Sequence, residues 1–257
     1  MEKWRLLKLG ETDAYTSATL PEVLGIAKNR GMIGNTLALY RPTSYVLVGP
    51  KTSLSQVNVS YCKEADIPIV RTIMRGGVGL MGDSCFYTLV LDRGESPSID
   101  VVSNVFIQCI VEACQIFGLS TSRRPNSNDV LVGEKKVLGT SIRSFNDTLL
   151  LNGTLALDFD YDLAKETLII PASKFKNKTA KSVEEWVTTV KKELDREVSF
   201  EEAEAALIQG FESVLQVKFE VVNSFSEAEK QILESLGEKY HSEEWTKYGK
   251  WSPVKEY

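Results

Sequence analysis

Histidine is almost missing from this 257-residue chain; His241 is the only one. A histidine-built metal site or a Ser-His-Asp triad elsewhere therefore has no imidazole to use. Cysteine is scarce as well: Cys62, Cys85, Cys109 and Cys114, with no C-x-x-C spacing. Cys109 and Cys114 fall on a predicted helix, where their offset turns them to different faces. The four read as buried free thiols of a reducing compartment, not as disulfides. No apolar run reaches the roughly 18 residues of a membrane span, and Met1-Glu-Lys-Trp-Arg5 has no apolar segment of a signal peptide. A cytoplasmic chain with no membrane partner is expected. Basic excess is absent too: 30 Lys and Arg face 35 Asp and Glu, a net charge of −5. That balance argues against a nucleic-acid partner.

What is present suits a globular protein with a sizeable core: 43% of residues are hydrophobic and 25% charged. One domain over residues 1–257 is expected, with a mixed sheet core over 1–172 and a mainly helical part over 173–257. Trp4 to Leu9 reads as a strand. A helix over 13–29 follows, capped by Asp13, with Pro21 as an alternative first turn. Thr36-Leu-Ala-Leu-Tyr-Arg41 and Tyr45-Val-Leu-Val48 read as a strand pair turning at Pro42. A short helix over 58–65 leads to Ile67-Pro-Ile-Val-Arg71. Met74-Arg-Gly-Gly-Val-Gly-Leu-Met-Gly82 carries glycine too densely for a regular element. Phe86 to Leu91 reads as a strand. Over 98–117, Ile99, Val102, Phe106, Cys109, Ala113 and Ile116 keep one helical face apolar. Asn128 to Ser141 reads as a hairpin turning at Gly133-Glu134, and Thr148 to Leu157 as a strand buried on both faces. Beyond Pro171 lies a basic loop, Lys174 to Lys181. Candidate capping boxes then stand at Ser182-x-x-Glu185, Ser199-x-x-Glu202 and Ser226-x-x-Glu229. Tight turns between strands imply antiparallel pairing, so the fold class is α+β.

Three stretches carry candidate chemistry. Gly76, Gly77, Gly79 and Gly82, with Arg71 before and Arg75 within, would let backbone N–H groups approach an oxyanion. The pattern is neither a Walker A loop nor a dinucleotide fingerprint, and a plain glycine-rich turn fits about as well. Lys136 opens a strand thinned by Gly139, Thr140 and Ser141. A hairpin lysine more often points to water. Asn128-Asp129 before it suit either a metal–phosphate group or a turn. Asn152-Gly153-Thr154 interrupts an apolar strand, marking a close approach or a bulge.

Together these stretches resemble a known family. Arg71…Gly76-Gly77, Asn128-Asp129, Lys136-Val-x-Gly139-x-Ser141 and Asn152-Gly-Thr-Leu155 follow the order and spacing of the lipoate–protein ligase A family, in the biotin/lipoyl ligase superfamily. Thr36 to Arg41 with Val48-Gly49, and Tyr240-His-Ser-Glu-Glu-Trp245, look similar too, so the resemblance spans roughly residues 3–250. It implies a fold like that of class II aminoacyl-tRNA synthetases, with largely antiparallel sheets flanked by helices. It also implies ATP-dependent attachment of lipoate or octanoate to a lysine of a lipoyl carrier domain through an acyl-adenylate. Lys136 would sit between acyl carbonyl and α-phosphate, with Arg71 and Mg²⁺ also neutralising charge. Gly76, Gly77 and Val78 would line the adenylate, and Asn128 and Asp129 would face the phosphates and Mg²⁺. Gly139, Ser141, Asn152, Gly153 and Thr154 would support the adenylate or acyl pocket.

The chain departs from the family loop, Arg-Arg-x-Ser-Gly-Gly-Gly-x-Val-x-His-Asp, at several positions. Thr72 replaces the second arginine, Met74 the serine, Arg75 the first glycine and Met81 the histidine; Asn152 replaces a second histidine. Met81 would reshape the acyl tunnel, and Arg75 would reach a phosphate from a new place. Many relatives add a small accessory domain where this chain stops, which implies a separate accessory subunit or competence without one. Two alternatives stand beside the ligase: a lipoyl or octanoyl transferase of the same superfamily, and a non-catalytic ligand-binding paralogue. The transferase needs a cysteine nucleophile near the lysine hairpin, and residues 118–148 hold none.

Overall fold

The computed structural model describes residues 2–93, 99–123, 127–170 and 182–251; the basic stretch Lys174 to Lys181 lies outside them. Strand β1 (Glu2–Thr12) and helix α1 (Ala14–Asn29) open the chain, followed by β2 (Thr36–Pro42) and β3 (Tyr45–Val48). A 3-10 turn at Leu54–Gln56 and α2 (Val59–Glu64) lead to β4 (Ile69–Arg71), β5 (Val78–Met81) and β6 (Ser84–Asp92). The long α3 (Ile99–Ile116) precedes β7 (Thr121–Arg123), β8 (Asp129–Val132), β9 (Lys135–Phe145) and β10 (Thr148–Ala156). Then come α4 (Tyr161–Thr167), α5 (Val183–Trp186), α6 (Val190–Leu194) and α7 (Phe200–Leu215). Strand β11 (Val217–Val222), α8 (Glu227–His241) and α9 (Glu243–Tyr248) complete the order.

Eight strands form one sheet in the order β11-β1-β2-β6-β10-β9-β8-β7, and β4, β3 and β5 form a second. In the large sheet β1 runs parallel to β2 and β11, while the other neighbours are antiparallel. The class is α+β with a mixed, largely antiparallel sheet. Its two faces are covered by different partners. Leu149, Leu151 and Leu155 of β10 pack with Phe106 of α3 and Phe211 of α7. Leu150 of the same strand packs with Leu20 and Leu24 of α1 and with Tyr45 and Val70 of the small sheet. A strand covered on both sides needs a continuous apolar run, which the leucines of β10 supply.

Helix α1 starts where Asp13 caps it, accepting from Tyr15 N at 2.8 Å and Thr16 N at 2.9 Å. Pro21 lies in its interior and is not its first turn. An interior proline costs about 3 kcal/mol. Leu20, Val23 and Leu24 are fully buried beside it, and at roughly 1.5–3 kcal/mol each they outweigh that cost.

Three further readings change. β2 and β3 do not form a hairpin: they belong to different sheets. Pro42 keeps its register opposite Thr12 of β1, and Thr43 N donates to Thr12 O at 2.9 Å, so the chain leaves the large sheet without turning back. The glycine stretch is not wholly irregular, because Val78–Met81 pairs antiparallel with β3. The C-terminal part also contributes β11, which lies parallel to β1 at the sheet edge. Helix α7 ends at Gln216 with φ +55, and the chain reverses into that strand. Of the three candidate capping boxes, only Ser226 with Glu229 has both halves; Ser182 and Ser199 cap with the hydroxyl alone.

Candidate active site

The hairpin of β8 and β9 turns at Gly133-Glu134, with Val132 opposite Lys135 and Gly133 at φ +58. Past the turn the register slips. Leu131 faces Lys136 but Val130 faces Leu138, leaving Val137 as the extra residue of a bulge. Val137 and Leu138 therefore both enter the core against α3 and α7, and Lys136 shares a face with Gly139. Regular alternation would have separated them. A Cβ on Gly139 would lie 2.5 Å from Lys136 Nζ, so the missing side chain is the space the ammonium occupies. Nζ pairs with Asp129 Oδ1 at 2.7 Å, with 28% and 22% of the two side chains exposed. Thr188 N donates to Lys136 O at 2.8 Å and fixes the strand from the other side.

On this face lies a cavity of about 310 Å³. Arg75, Gly76, Gly77 and Val78 line it from the glycine stretch, and Lys136, Gly139, Ser141, Asn152, Gly153 and Thr154 from β9 and β10. Ser141 stands opposite Asn152, and Gly139 opposite Thr154. Asn152 Nδ2 donates to Tyr40 Oη at 3.0 Å, Thr88 Oγ1 at 2.9 Å and Tyr87 O at 3.1 Å. Burial pushes the Tyr40 phenol up to about 12, so this anchor stays neutral. Ser141 Oγ is buried and has no hydrogen-bond partner among the described residues. Gly153 has a different reason to be glycine. A Cβ there would meet Tyr87 Oη at 2.2 Å, because the phenol crosses at that point to bond the Thr140 hydroxyl. The close approach comes from the core, and Gly153 gives the cavity only its backbone.

Three expected site residues are not in the cavity wall. Arg71 is 1% exposed and donates only to backbone carbonyls. These belong to Gly49 (2.5 Å), Thr52 (3.0 Å), Trp245 (2.9 Å), Thr246 (2.8 Å) and Lys247 (3.3 Å). Trp245 Nε1 donates back to Arg71 O at 2.9 Å. Arg71 thus fastens the base of the glycine stretch to α9 and is not turned to a phosphate. Asn128 Oδ1 accepts from Ser103 Oγ at 2.7 Å, tying the hairpin to α3. Asp129 acts on the cavity through Lys136. No group of three His, Cys, Asp or Glu side chains suited to a metal occurs among the described residues, so a Mg²⁺ here would depend on the phosphates of a nucleotide for most of its ligands. Asp129 also already faces an ammonium, whose charge disfavours a divalent cation beside it.

Other wall residues gave no sequence signal. Phe159 closes the cavity just past β10, and Leu168, Val183, Trp186 and Val187 close it from later segments. All four cysteines are buried and none lines the cavity. Burial raises every thiol: Cys109 and Cys114 to about 12, Cys85 well above its ordinary value, and Cys62 upward. No helix of the described residues is long and apolar enough to cross a membrane.

Comparison with known proteins bears on this geometry. The family model of the lipoyl protein ligase A/B catalytic domain matches residues 13–212. Lipoate-protein ligase A subunit 1 of Thermoplasma acidophilum is 27% identical over 81% of this chain and 83% of its own. Octanoyltransferase LipM of Oceanobacillus iheyensis is 24% identical over 94% of this chain and 96% of its own. Among solved structures, one of a bi-partite lipoate protein ligase and its E2 lipoyl domain from Thermoplasma acidophilum superposes with a TM-score of 0.82. It is 26% identical and covers 99% of this chain and 100% of its own.

Proposed function

The chain belongs to the lipoyl protein ligase A/B catalytic domain family, and from that premise we propose that it activates lipoate or octanoate with ATP. The acyl group then passes to a lysine of a lipoyl domain. The relatives include both a ligase subunit and octanoyltransferases, so the choice between them rests on chemistry. Transfer through an enzyme thioester needs an accessible thiolate. All four thiols here are buried, raised and away from the cavity. That observation carries the preference for the ligase.

In the first step a carboxylate oxygen of the acid attacks the α-phosphorus of ATP, and the bond to pyrophosphate breaks. Both partners are anionic, so a fixed cation must offset their repulsion. Lys136 supplies it: its ammonium is held by Asp129 and by the space over Gly139, yet is partly open to the cavity. Arg75, at the rim, adds a second positive charge. Ser141 Oγ, which has no partner among the described residues, offers a hydroxyl to the bound group. In the second step the acceptor amine attacks the acyl carbon, the bond to AMP breaks, and a proton leaves the amine. Apolar wall residues such as Leu168 and Trp186 keep water from the reactive mixed anhydride. The Thermoplasma relative is bi-partite and is paired with an E2 lipoyl domain; a similar acceptor and a separate accessory chain are proposed here.

The test is the mass of a lipoyl domain after incubation with the chain, lipoate and ATP, with and without a candidate accessory chain. A lipoyl mass gain that requires ATP supports the ligase. Gain from an octanoyl carrier without ATP would establish the transferase instead. Binding of lipoate with no transfer under either condition would leave a non-catalytic binding protein.

A further inference from the structure

The cavity has a second end that the reacting groups do not use. Leu155 of β10 stands opposite Leu138 of β9, and the next residue, Ala156, opposite Ser84 of β6. From the Lys136 hairpin to Ser84 the cavity therefore crosses two inter-strand spacings, about 10 Å in all. With its carboxylate at Lys136, an acid whose tail ran along this wall would reach Ser84. There Leu80, Met81, Ser84 and Phe159 are shared with a neighbouring cavity of about 350 Å³. Met81 and Gly79 lie on one face of β5, and the Met81 methyl is folded across the glycine. A Cβ on Gly79 would come within 2.7 Å of Met81 Cε. Met81 thus lies in the wall common to both cavities.

The neighbouring space is more polar. Asp83, Asp158 and Asp160 line it. Asp83 pairs with Arg41 at 2.9 Å, Asp158 with Lys191 at 2.8 Å, and Asp160 accepts from Leu163 N at 2.8 Å. An alkyl tail entering it would meet carboxylates and water as well as apolar side chains, and would gain less from burial than in the first cavity. We propose that Met81, with Phe159 in the same shared wall, is the partition that limits acyl chain length, restricting the site to medium-chain acids. The proposal rests on the acid-binding reading of the cavity given above and adds a specificity-determining residue to it.

Binding without ATP tests it. Calorimetry would compare straight-chain monocarboxylates from hexanoate to tetradecanoate on the native chain, Met81→Ala and Met81→Phe, each checked for native circular dichroism. In the native chain, affinity is expected to rise to a medium length and then fall. Met81→Ala is expected to bind dodecanoate about tenfold tighter than the native chain, the gain from burying two or so further methylenes in the space the Met81 side chain vacates. Met81→Phe shortens the preferred acid, and it carries the test should the alanine variant fail to fold. An identical length profile in all three proteins would overturn the partition while leaving acid binding intact. A native chain that binds none of the acids would overturn the reading beneath it.

Discussion

Two cations flank the glycine stretch, and the chain treats them in opposite ways. Arg71 is 1% exposed and its guanidinium is spent on the carbonyls of Gly49, Thr52, Trp245, Thr246 and Lys247. Lys136 keeps 28% of its side chain exposed, has one ion pair to Asp129, and lines the cavity. Both are basic residues in the pattern that resembles the ligase family. A cation saturated by buried backbone acceptors is a fastening. A cation held in place but left partly open can meet an incoming anion. Position in a motif does not distinguish the two; their surroundings do.

Lys136→Ala should have the largest effect. Pyrophosphate release should fall about 10³-fold, the scale of losing a positioned charge at an oxyanion, with the melting temperature unchanged. Arg71→Ala should behave in reverse. Five carbonyls would lose a charged donor, lowering stability by about 3 kcal/mol and the melting temperature by about 10 °C. The activity of whatever folds should be retained within severalfold; a selective loss of activity at normal stability would show that Arg71 meets substrate after all. Gly139→Ala sets a methyl where Nζ lies. It should displace Lys136 and slow turnover about tenfold, a modest effect of lost orientation, with little change in thermal melting.

The smallest effect concerns pH and lies far from the cavity. Burial alone would raise the Glu229 carboxyl, but Arg5 and the Ser226 cap overcome it and hold the group below its ordinary value. Arg5 contacts it through both oxygens, at 2.6 and 2.8 Å. A lowered carboxylate stabilises the fold above its unfolded pKa, and that contribution is lost as pH falls through the folded value. Glu229→Gln should therefore cost about 1 kcal/mol at neutral pH, with the gap to the native chain closing in strong acid. Urea melts at several pH values would show it; a pH-independent gap would contradict the assignment.

The site was legible where its residues are close in sequence and lie on neighbouring strands. Gly139, Ser141, Asn152 and Thr154 meet because β9 and β10 pair directly, and alternation along a strand can be read from spacing. The contacts of Arg71 are not legible, because its acceptors at Trp245 and Thr246 lie more than 170 residues away and backbone carbonyls leave no sequence signal. The bulge at Val137 was equally invisible: it is one residue of register, known only from the opposing strand. The same limit explains β2 and β3, whose alternation marks them as strands without naming their neighbours. Gly153 shows a subtler miss, since its sequence marks a close approach but not from which side; Tyr87 comes from the core.

If the Lys136 ammonium carries the activation, no thiol takes the acyl group at any stage. The most direct measurement is the intact mass of the protein quenched during turnover, once with ATP and lipoate and once with an octanoyl carrier. The chain is expected unmodified in both, with the acyl group found as adenylate or on the acceptor lysine in the first and still on the carrier in the second. An acyl mass on Cys62, Cys85, Cys109 or Cys114 would contradict it.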